Sequence, residues 1–90
     1  MALNELVAEL RAQKLTVSFA ESCTGGRLSA SLAEIPGVSD VFLGSVVSYA
    51  YQAKVDLLGV SWDTLNSEGA VSDKVAKQMA RGCLEHLKSS

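Results

Sequence analysis

Two short stretches with the composition of β-strands, separated by a helical segment, constrain the fold of this chain more than any other feature. Residues 15–20 (LTVSFA) alternate apolar side chains with small or polar ones, and residues 39–50 (SDVFLGSVVSYA) are rich in β-branched and aromatic side chains. Between them, residues 23–34 are predicted to form a helix that Pro36 and Gly37 end. Strands that alternate with helices are typical of a layered α/β fold with a mostly parallel sheet.

The segments on either side are predicted to be helical. Near the N-terminus, apolar side chains recur at helical spacing and predict a first helix of about three turns. After the second strand, residues 51–60 are predicted to form a short helix closed by Gly59, and residues 61–69 a further turn of helix capped by Ser61. The apolar positions of the first helix are Leu3, Leu6, Val7 and Leu10.

The last helix is predicted to begin at Ser72, a good N-cap residue, with Asp73 in its first turn. The element order is then α-β-α-β-α-α, with two visible strands, and Gly44 inside the second strand predicts a bulge or a close backbone approach. A parallel pair needs cover on both faces and usually further strands, so we expect only part of the sheet to be present in this chain. The last helix has a broad apolar face made of two neighbouring rows: Val75, Met79 and Cys83, and Ala76, Ala80 and Leu84.

Composition and charge exclude several classes of protein. The 90 residues suffice for one domain, and a net charge of −2 with scattered basic residues gives no electrostatic footprint for nucleic acid. Cys23 and Cys83 lie far apart and His86 is the single histidine, so we expect reduced thiols and no metal site. The N-terminus lacks the apolar core of a signal peptide, and no apolar run approaches the about 20 residues of a membrane helix. We therefore expect a soluble, cytoplasmic protein without nucleic-acid or membrane partners.

The sequence FAESCTGG (residues 19–26) leads from the first strand into the next helix and allows three functions. The unpaired N–H groups at such a helix start can bind a phosphate. They can also form an oxyanion hole for a nucleophile, for which Ser22 and Cys23 are the candidates. The third possibility is structural, with Ser22 or Thr24 capping the helix. A Walker loop is excluded, because no Gly-Lys-Ser or Gly-Lys-Thr sequence follows the glycines.

A nucleophilic serine needs a base to remove its proton. Lys54 follows the second strand and could return to the same carboxyl-end cleft as Ser22, where burial would lower its pKa toward the range that a base requires. Tyr49, at the end of that strand, could hydrogen-bond to either group. His86 is the other candidate base, although it lies near the C-terminal end of a helix with charged neighbours. The residues alone leave the base unresolved.

An ordered series of motifs resembles the CinA C-terminal domain family, whose stand-alone members are the PncC-type nicotinamide-nucleotide amidases. The resemblance implies an α/β/α layered fold and the deamidation of nicotinamide mononucleotide to nicotinate mononucleotide and ammonia, in pyridine-nucleotide salvage. It implies no metal and no other cofactor. The motifs are AESCTGG (20–26), PGVSDVFLGSVVSY (36–49), AK (53–54), LLGV (57–60) and EGAVS (68–72).

Carried onto this sequence residue by residue, the resemblance implies a catalytic serine, tyrosine and lysine. These are Ser22 as the nucleophile, Lys54 as general base and acid, and Tyr49 as the residue that orients the proton relay. Where the family commonly has SNEAK before its lysine, this chain has AYQAK, so Tyr51 offers a second phenol near Lys54. The substrate-binding residues that the resemblance implies, the last three of them as oxyanion donors or nucleotide contacts, are Glu21, Cys23, Thr24, Gly25 and Gly26.

The resemblance covers nearly the whole chain but only about the first half of the family's domain. Residues 1–90 are therefore predicted to be a single domain of this type, truncated at its C-terminal end, without the family's further glycine-rich loop and additional strands. Open sheet edges and apolar helix faces favour pairing with another copy, so we expect a homo-oligomer. The alternative function is a non-catalytic module that binds nucleotide or only assembles.

Overall fold

A computed structural model describes residues 2–90. Helices and strands alternate up to the second strand, and the rest of the described chain is helical. In chain order the elements are α1 (Leu3–Ala12), β1 (Val17–Glu21), α2 (Arg27–Ala33), a 3-10 turn (Val38–Asp40), β2 (Phe42–Val47), α3 (Tyr51–Leu58), α4 (Trp62–Glu68) and α5 (Asp73–Leu87).

β1 and β2 form a parallel pair, and no other strand is present within residues 2–90. Val17 pairs with Phe42 but Ser18 pairs with Gly44, so Leu43 is an extra residue that makes a β-bulge. Gly44 has a φ of +146°, a conformation that residues with side chains rarely adopt. The bulge predicted at this glycine is confirmed.

Helices cover both faces of the pair, which confirms the α/β/α layered fold. Alternate side chains of β1 face opposite layers: Val17 and Phe19 pack with α1 and α2, and Ala20 packs with the helices that follow β2. The buried residues of the first core are Val7, Leu32 and Val41, and those of the second are Leu58, Val60, Leu65, Val75, Met79 and Cys83.

The predicted bounds of α2 and of the second strand are wrong, and the first strand begins at Val17, two residues later than predicted. α2 begins at Arg27 rather than Cys23, because residues 22–26 form a turn in which Gly25 and Gly26 have φ values of +61° and +100°. Those values lie outside the right-handed helical region, so the helix cannot include them. The second strand is shorter than residues 39–50, because Val38–Asp40 form a 3-10 turn before it and β2 itself ends at Val47.

The predicted ends of the later helices are confirmed. Ser61 Oγ accepts a hydrogen bond from the Thr64 N–H at 3.0 Å and caps α4. Ser72 Oγ accepts one from the Val75 N–H at 3.3 Å and caps α5. Gly59 ends α3, as predicted.

Only one of the two apolar rows of α5 is buried. On its buried side α5 passes so close to α3 that a Cβ at Gly82 would collide with the Leu58 carbonyl oxygen. The buried row is Val75, Met79 and Cys83, and the exposed row is Ala76, Ala80 and Leu84.

The exposed row lines a groove of about 880 Å³ beside β1, which we call the β1-edge groove. Residues 16–24 form one wall of this groove, and α5, Leu28 and residues 89–90 form the rest. Because both alternating sets of β1 residues line it, the groove lies along the edge of β1 that does not pair with β2. Near the start of β1, the Ser90 N–H donates a hydrogen bond to the Thr16 carbonyl at 3.3 Å.

Candidate functional site

Two adjacent residues at the carboxyl end of β1 reach opposite layers. Glu21 is the last residue of β1, and its carboxylate contacts α2. Ser22 follows, and its hydroxyl contacts Lys54 of α3. The alternation of side chains along an extended strand accounts for this division. The two polar groups therefore lie in separate surroundings, although they are neighbours in sequence.

Lys54 is buried, with 1% of its surface exposed. Its Nζ donates to Ser22 Oγ at 2.8 Å, to the Ser48 carbonyl at 2.7 Å and to the Tyr49 carbonyl at 2.9 Å. Three acceptors match the three N–H donors of an ammonium group. The same geometry suits a neutral amine, which would keep its two bonds to the carbonyls and accept the Ser22 hydroxyl proton with its lone pair.

The path of the chain explains why Lys54 reaches the end of β1. The Ser48 N–H donates to the Glu21 carbonyl at 2.8 Å, which continues the strand pairing past β2. α3 then begins at Tyr51, so Lys54 lies in its first turn. This places its side chain against residues 48 and 49, which directly follow β2. The order of the elements allowed this return of Lys54 to the carboxyl end of the strands, and the family resemblance implied it.

Burial lowers the pKa of Lys54 below its usual value of 10.5, against a smaller opposing electrostatic effect of Cys23. Within residues 2–90, no carboxylate lies within salt-bridge distance of the amine. A lowered pKa raises the fraction of neutral amine near neutral pH, which is the form that can take a proton. The pair of Ser22 and Lys54 therefore has the geometry and the electrostatics of a nucleophile with its base.

Glu21 is 4% exposed, and its carboxylate is surrounded by donors from the turn and from α2. Oε1 accepts from the Thr24 hydroxyl at 2.7 Å and from the N–H groups of Gly26 and Leu28 at 3.1 and 3.2 Å. Oε2 accepts from the Ser29 N–H at 2.9 Å and from the Ser29 hydroxyl. Burial raises the pKa of Glu21, but the hydrogen bonds from Ser29 and Thr24 outweigh it and lower the pKa to about 2.

These contacts make Glu21 the cap of α2, a role that the sequence did not reveal. The N-cap position is Gly26, and neither the Ser22 nor the Thr24 hydroxyl accepts an N–H of the helix. The first amides of α2 are not available to a phosphate, because Arg27 donates to the Thr24 carbonyl and the next two residues donate to the Glu21 carboxylate. A glutamate near a helix start is a known capping signal, but Glu21 lies in the preceding strand, where spacing alone does not identify it.

The 22–26 turn also uses the amides of both its glycines. The Gly25 N–H donates to the Ser22 carbonyl at 3.0 Å, and the Gly26 N–H donates to Glu21. The glycine amides predicted as oxyanion donors are therefore already engaged. The Cys23 and Thr24 amides have no acceptor within residues 2–90, and the Cys23 thiol is exposed.

The structure does not bring a phenol to the Ser22–Lys54 pair. The Tyr49 side chain is 76% exposed, and only the carbonyl of this residue contacts Lys54. The Tyr51 ring packs 6.3 Å from the Trp62 ring, measured between centroids. His86 is exposed in the last turn of α5. The catalytic role of the Tyr49 hydroxyl stays a prediction, as do the substrate contacts of residues 21 and 23–26.

Metal-binding clusters and membrane-spanning helices are both absent from the described part of the chain. No group of three His, Cys, Asp or Glu side chains there is arranged to hold a metal ion. None of the helices described combines the length and the apolar character needed to cross a membrane.

Comparison with known sequences identifies the family. The sequence profile of the CinA C-terminal domain matches residues 2–90. The chain belongs to the CinA C-terminal domain family. A CinA-like protein of Chlorobaculum tepidum is 55% identical over 86 residues, which are 94% of this chain and 20% of that protein. A CinA-like protein of Fervidobacterium nodosum is 47% identical over 89 residues, which are 98% of this chain and 22% of that protein.

Solved CinA-family structures match the fold closely. The competence/damage-inducible protein CihA of Agrobacterium tumefaciens has a TM-score of 0.93 and 41% identity, over 97% of this chain and 53% of its own. A CinA superfamily protein of Escherichia coli has a TM-score of 0.96 and 35% identity, over 98% of this chain and 51% of its own. This CinA-family chain thus spans about half of those structures and about a fifth of the curated relatives above.

Proposed function

We propose that this CinA-family chain carries the nucleophile and the base of an amidohydrolase that converts nicotinamide mononucleotide to nicotinate mononucleotide and ammonia, in pyridine-nucleotide salvage. The observation that carries the proposal is the 2.8 Å hydrogen bond between the buried Lys54 Nζ and Ser22 Oγ. A serine hydroxyl is a weak nucleophile unless an adjacent base removes its proton. The choice of substrate rests on the resemblance to the PncC-type amidases.

In the proposed reaction, the neutral Lys54 amine takes the hydroxyl proton as Ser22 Oγ attacks the carboxamide carbon. The tetrahedral intermediate collapses when the C–N bond breaks, and Lys54 gives its proton to the leaving nitrogen, which departs as ammonia. A water molecule then attacks the acyl-enzyme with Lys54 again as the base. This second step releases the nicotinate product and restores the Ser22 hydroxyl.

The oxyanion of the intermediate needs hydrogen-bond donors beside the nucleophile. We assign this part to the Cys23 and Thr24 amides, because they follow Ser22 directly and have no acceptor within residues 2–90. An amide of the residue after the nucleophile is a common oxyanion donor in serine hydrolases. Tyr49 remains the proposed third catalytic residue on the family resemblance, and its carbonyl accepts a hydrogen bond from Lys54.

The test is an ammonia-release assay with nicotinamide mononucleotide on the purified chain and its variants. Ser22→Ala and Lys54→Ala should each lower the rate at least about 10³-fold while leaving the circular dichroism spectrum unchanged, because each removes a member of a catalytic unit. Ser31→Ala and Lys74→Ala are the matched controls, since both residues are exposed on helices and should retain full activity. A Ser22→Ala variant that keeps its activity, alongside a Cys23→Ala variant that loses it, would replace the hydroxyl with the thiol as nucleophile.

A second candidate function is a non-catalytic module, and one observation favours it. The β1-edge groove is open and its lining includes Ser22, so the surroundings of the site are incomplete within residues 2–90. Calorimetry with nicotinamide mononucleotide separates the two functions. Binding without ammonia release supports a nucleotide-binding module, and neither binding nor release supports a module that only assembles.

A further inference from the structure

We infer that Glu21 is a positioning residue for the nucleophile: its buried carboxylate ties the 22–26 turn and the start of α2 to the end of β1, so that Ser22 stays against Lys54. This inference rests on the proposed function, because it gives Glu21 a part in the reaction of Ser22. Glu21 acts through Ser22 rather than on the substrate, since both of its carboxylate oxygens are already occupied by protein donors.

The hydrogen bonds to Glu21 span the whole connection between the strand and the helix. The carboxylate takes two hydroxyl groups and three backbone N–H groups, some from the turn and some from α2. Hydrogen bonds to an ionised acceptor are stronger than those between neutral groups. Loss of the carboxylate would therefore release the turn and the helix start together. The donors are Thr24, Gly26, Leu28 and Ser29.

The backbone of Glu21 holds the other half of the site. Its carbonyl accepts the Ser48 N–H at 2.8 Å, and the Ser48 carbonyl accepts Lys54 Nζ at 2.7 Å. Lys54 Nζ in turn donates to Ser22 Oγ at 2.8 Å, which closes a ring of contacts that begins and ends beside Glu21. One residue thus fixes the turn that carries the nucleophile relative to the segment that holds the base.

The 22–26 turn needs such a tie because it is weakly determined by itself. Gly25 and Gly26 have access to many backbone conformations. The turn has two backbone hydrogen bonds of its own, from Gly25 N–H to the Ser22 carbonyl at 3.0 Å and from Arg27 N–H to the Thr24 carbonyl at 3.1 Å. A displacement of a reacting atom by about 1 Å can cost about 10²-fold in rate.

Labelling of Ser22 by a fluorophosphonate separates positioning from stability. In the reaction Ser22 Oγ forms a bond to phosphorus, the P–F bond breaks to release fluoride, and Lys54 takes the hydroxyl proton. Mass spectrometry follows both the rate constant and the final extent of labelling. Glu21→Gln is neutral and places amide N–H groups against the donors of α2. We expect this variant to label at least about 100-fold more slowly than the wild-type chain, while its folded fraction still labels to completion.

Ser61→Ala is the matched control, because it removes the cap of a helix away from the site. It should lower the melting temperature and leave the labelling rate constant unchanged. If Glu21→Gln behaves in the same way, with a lower melting temperature and an unchanged rate constant, then Glu21 is only a helix cap and the inference is wrong.

A second measurement does not depend on the reactivity of Ser22. We expect Glu21→Gln to raise the pKa of Lys54 toward its usual value of 10.5, measured by NMR of the lysine side chain, because a displaced turn admits water to the amine. Ser61→Ala should leave that pKa unchanged. If the wild-type chain does not label, Ser22 is not a reactive nucleophile, and the pKa of Lys54 then tests positioning by itself. A higher pKa in Glu21→Gln supports the positioning role of Glu21. An unchanged pKa overturns that role as well.

A milder variant covers the case in which Glu21→Gln does not fold. Ser29→Ala removes one hydroxyl donor from Oε2 and keeps the carboxylate and all the amides. We expect it to label at least about tenfold more slowly than wild type, the loss that one hydrogen bond to a charged acceptor implies. A labelling rate equal to that of wild type would overturn the inference. A Ser22→Ala variant, which should not label, checks that the probe reacts at Ser22.

Discussion

The carboxyl end of β1 and its free edge are built in opposite ways. At the carboxyl end the charged residues Glu21 and Lys54 are only 4% and 1% exposed, and each has several hydrogen-bond partners. Along the free edge, the apolar Leu28 and Leu84 are 41% and 37% exposed. Charged residues are rarely buried, and only when their polar atoms are satisfied. The contrast teaches that residues 2–90 bring Ser22 and Lys54 together by themselves, whereas the groove beside β1 stays open within those residues.

α5 carries the same contrast on its two sides. Its buried side packs onto the sheet and onto α3, where Gly82 allows the two helices to touch. Its other side presents alanines to the β1-edge groove. Substitutions on the two sides should therefore differ in sign or in size, and the following predictions run from the largest expected effect to the smallest.

Gly82→Ala should produce the largest effect, a loss of about 3 kcal/mol in the free energy of unfolding, measured by urea denaturation. The reason is steric, since the added Cβ would meet the backbone carbonyl oxygen of Leu58, which cannot move without shifting α3. Helix propensity alone predicts the opposite, a gain of about 1 kcal/mol.

The control for this substitution lies on the open side of the same helix. Ala80→Gly should cost about 1 kcal/mol, the propensity difference alone, because Ala80 is exposed. A Gly82→Ala variant more stable than wild type would mean that α3 and α5 do not touch at this point.

Acid should reduce the stability that Glu21 contributes at the carboxyl end of β1. The pKa of Glu21 is lowered from 4.5 to about 2 in the folded chain, so its ionised carboxylate stabilises the fold above pH 4.5. That contribution is lost as the pH falls through about 2, where the folded chain takes up the proton. Glu21→Gln should therefore be about 2 kcal/mol less stable than wild type at pH 7, and the difference should shrink below pH 4.5.

Urea denaturation at pH values from 7 to 2 measures this difference. Glu34→Gln is the matched control, because Glu34 is an exposed glutamate that follows α2, and this variant should match wild type in stability at each pH. A difference between Glu21→Gln and wild type that stays constant down to pH 2 would show that the carboxylate does not act in its ionised form.

The residues that meet at the carboxyl end of β1 were more predictable from the sequence than the surroundings of its free edge. Parallel strands end at the same side of a sheet, so the order of the elements made Lys54 a candidate to lie near Ser22, and the family resemblance then selected it. The cap was not predictable, because Glu21 reaches α2 only through the left-handed conformations of Gly25 and Gly26, and apolar periodicity carries no information on them.

The two rows of α5 show a second limit. Periodicity predicts which side chains share a helix face, and both rows were found from it. Which row is covered depends on the neighbours that the sheet provides, and those are not local properties of the helix. The sequence therefore did not distinguish buried Met79 from exposed Ala80.

A substitution in the groove along the free edge of β1 should have the smallest effect on the free energy of unfolding and the largest effect on self-association. We propose that a second copy of the chain covers the β1-edge groove, because an unpaired strand edge beside an exposed apolar helix face favours self-association. Light scattering after size-exclusion chromatography should then give a mass above the 9.5 kDa of one chain.

Ala80→Glu, which puts a charge into the groove, should restore the monomer and change the free energy of unfolding of the monomer by less than about 0.5 kcal/mol. Ala30→Glu, at an exposed helical alanine outside the groove, should leave the mass unchanged. A wild-type chain that stays monomeric at high concentration would refute the second copy, and the open edge would then have to be stable without cover.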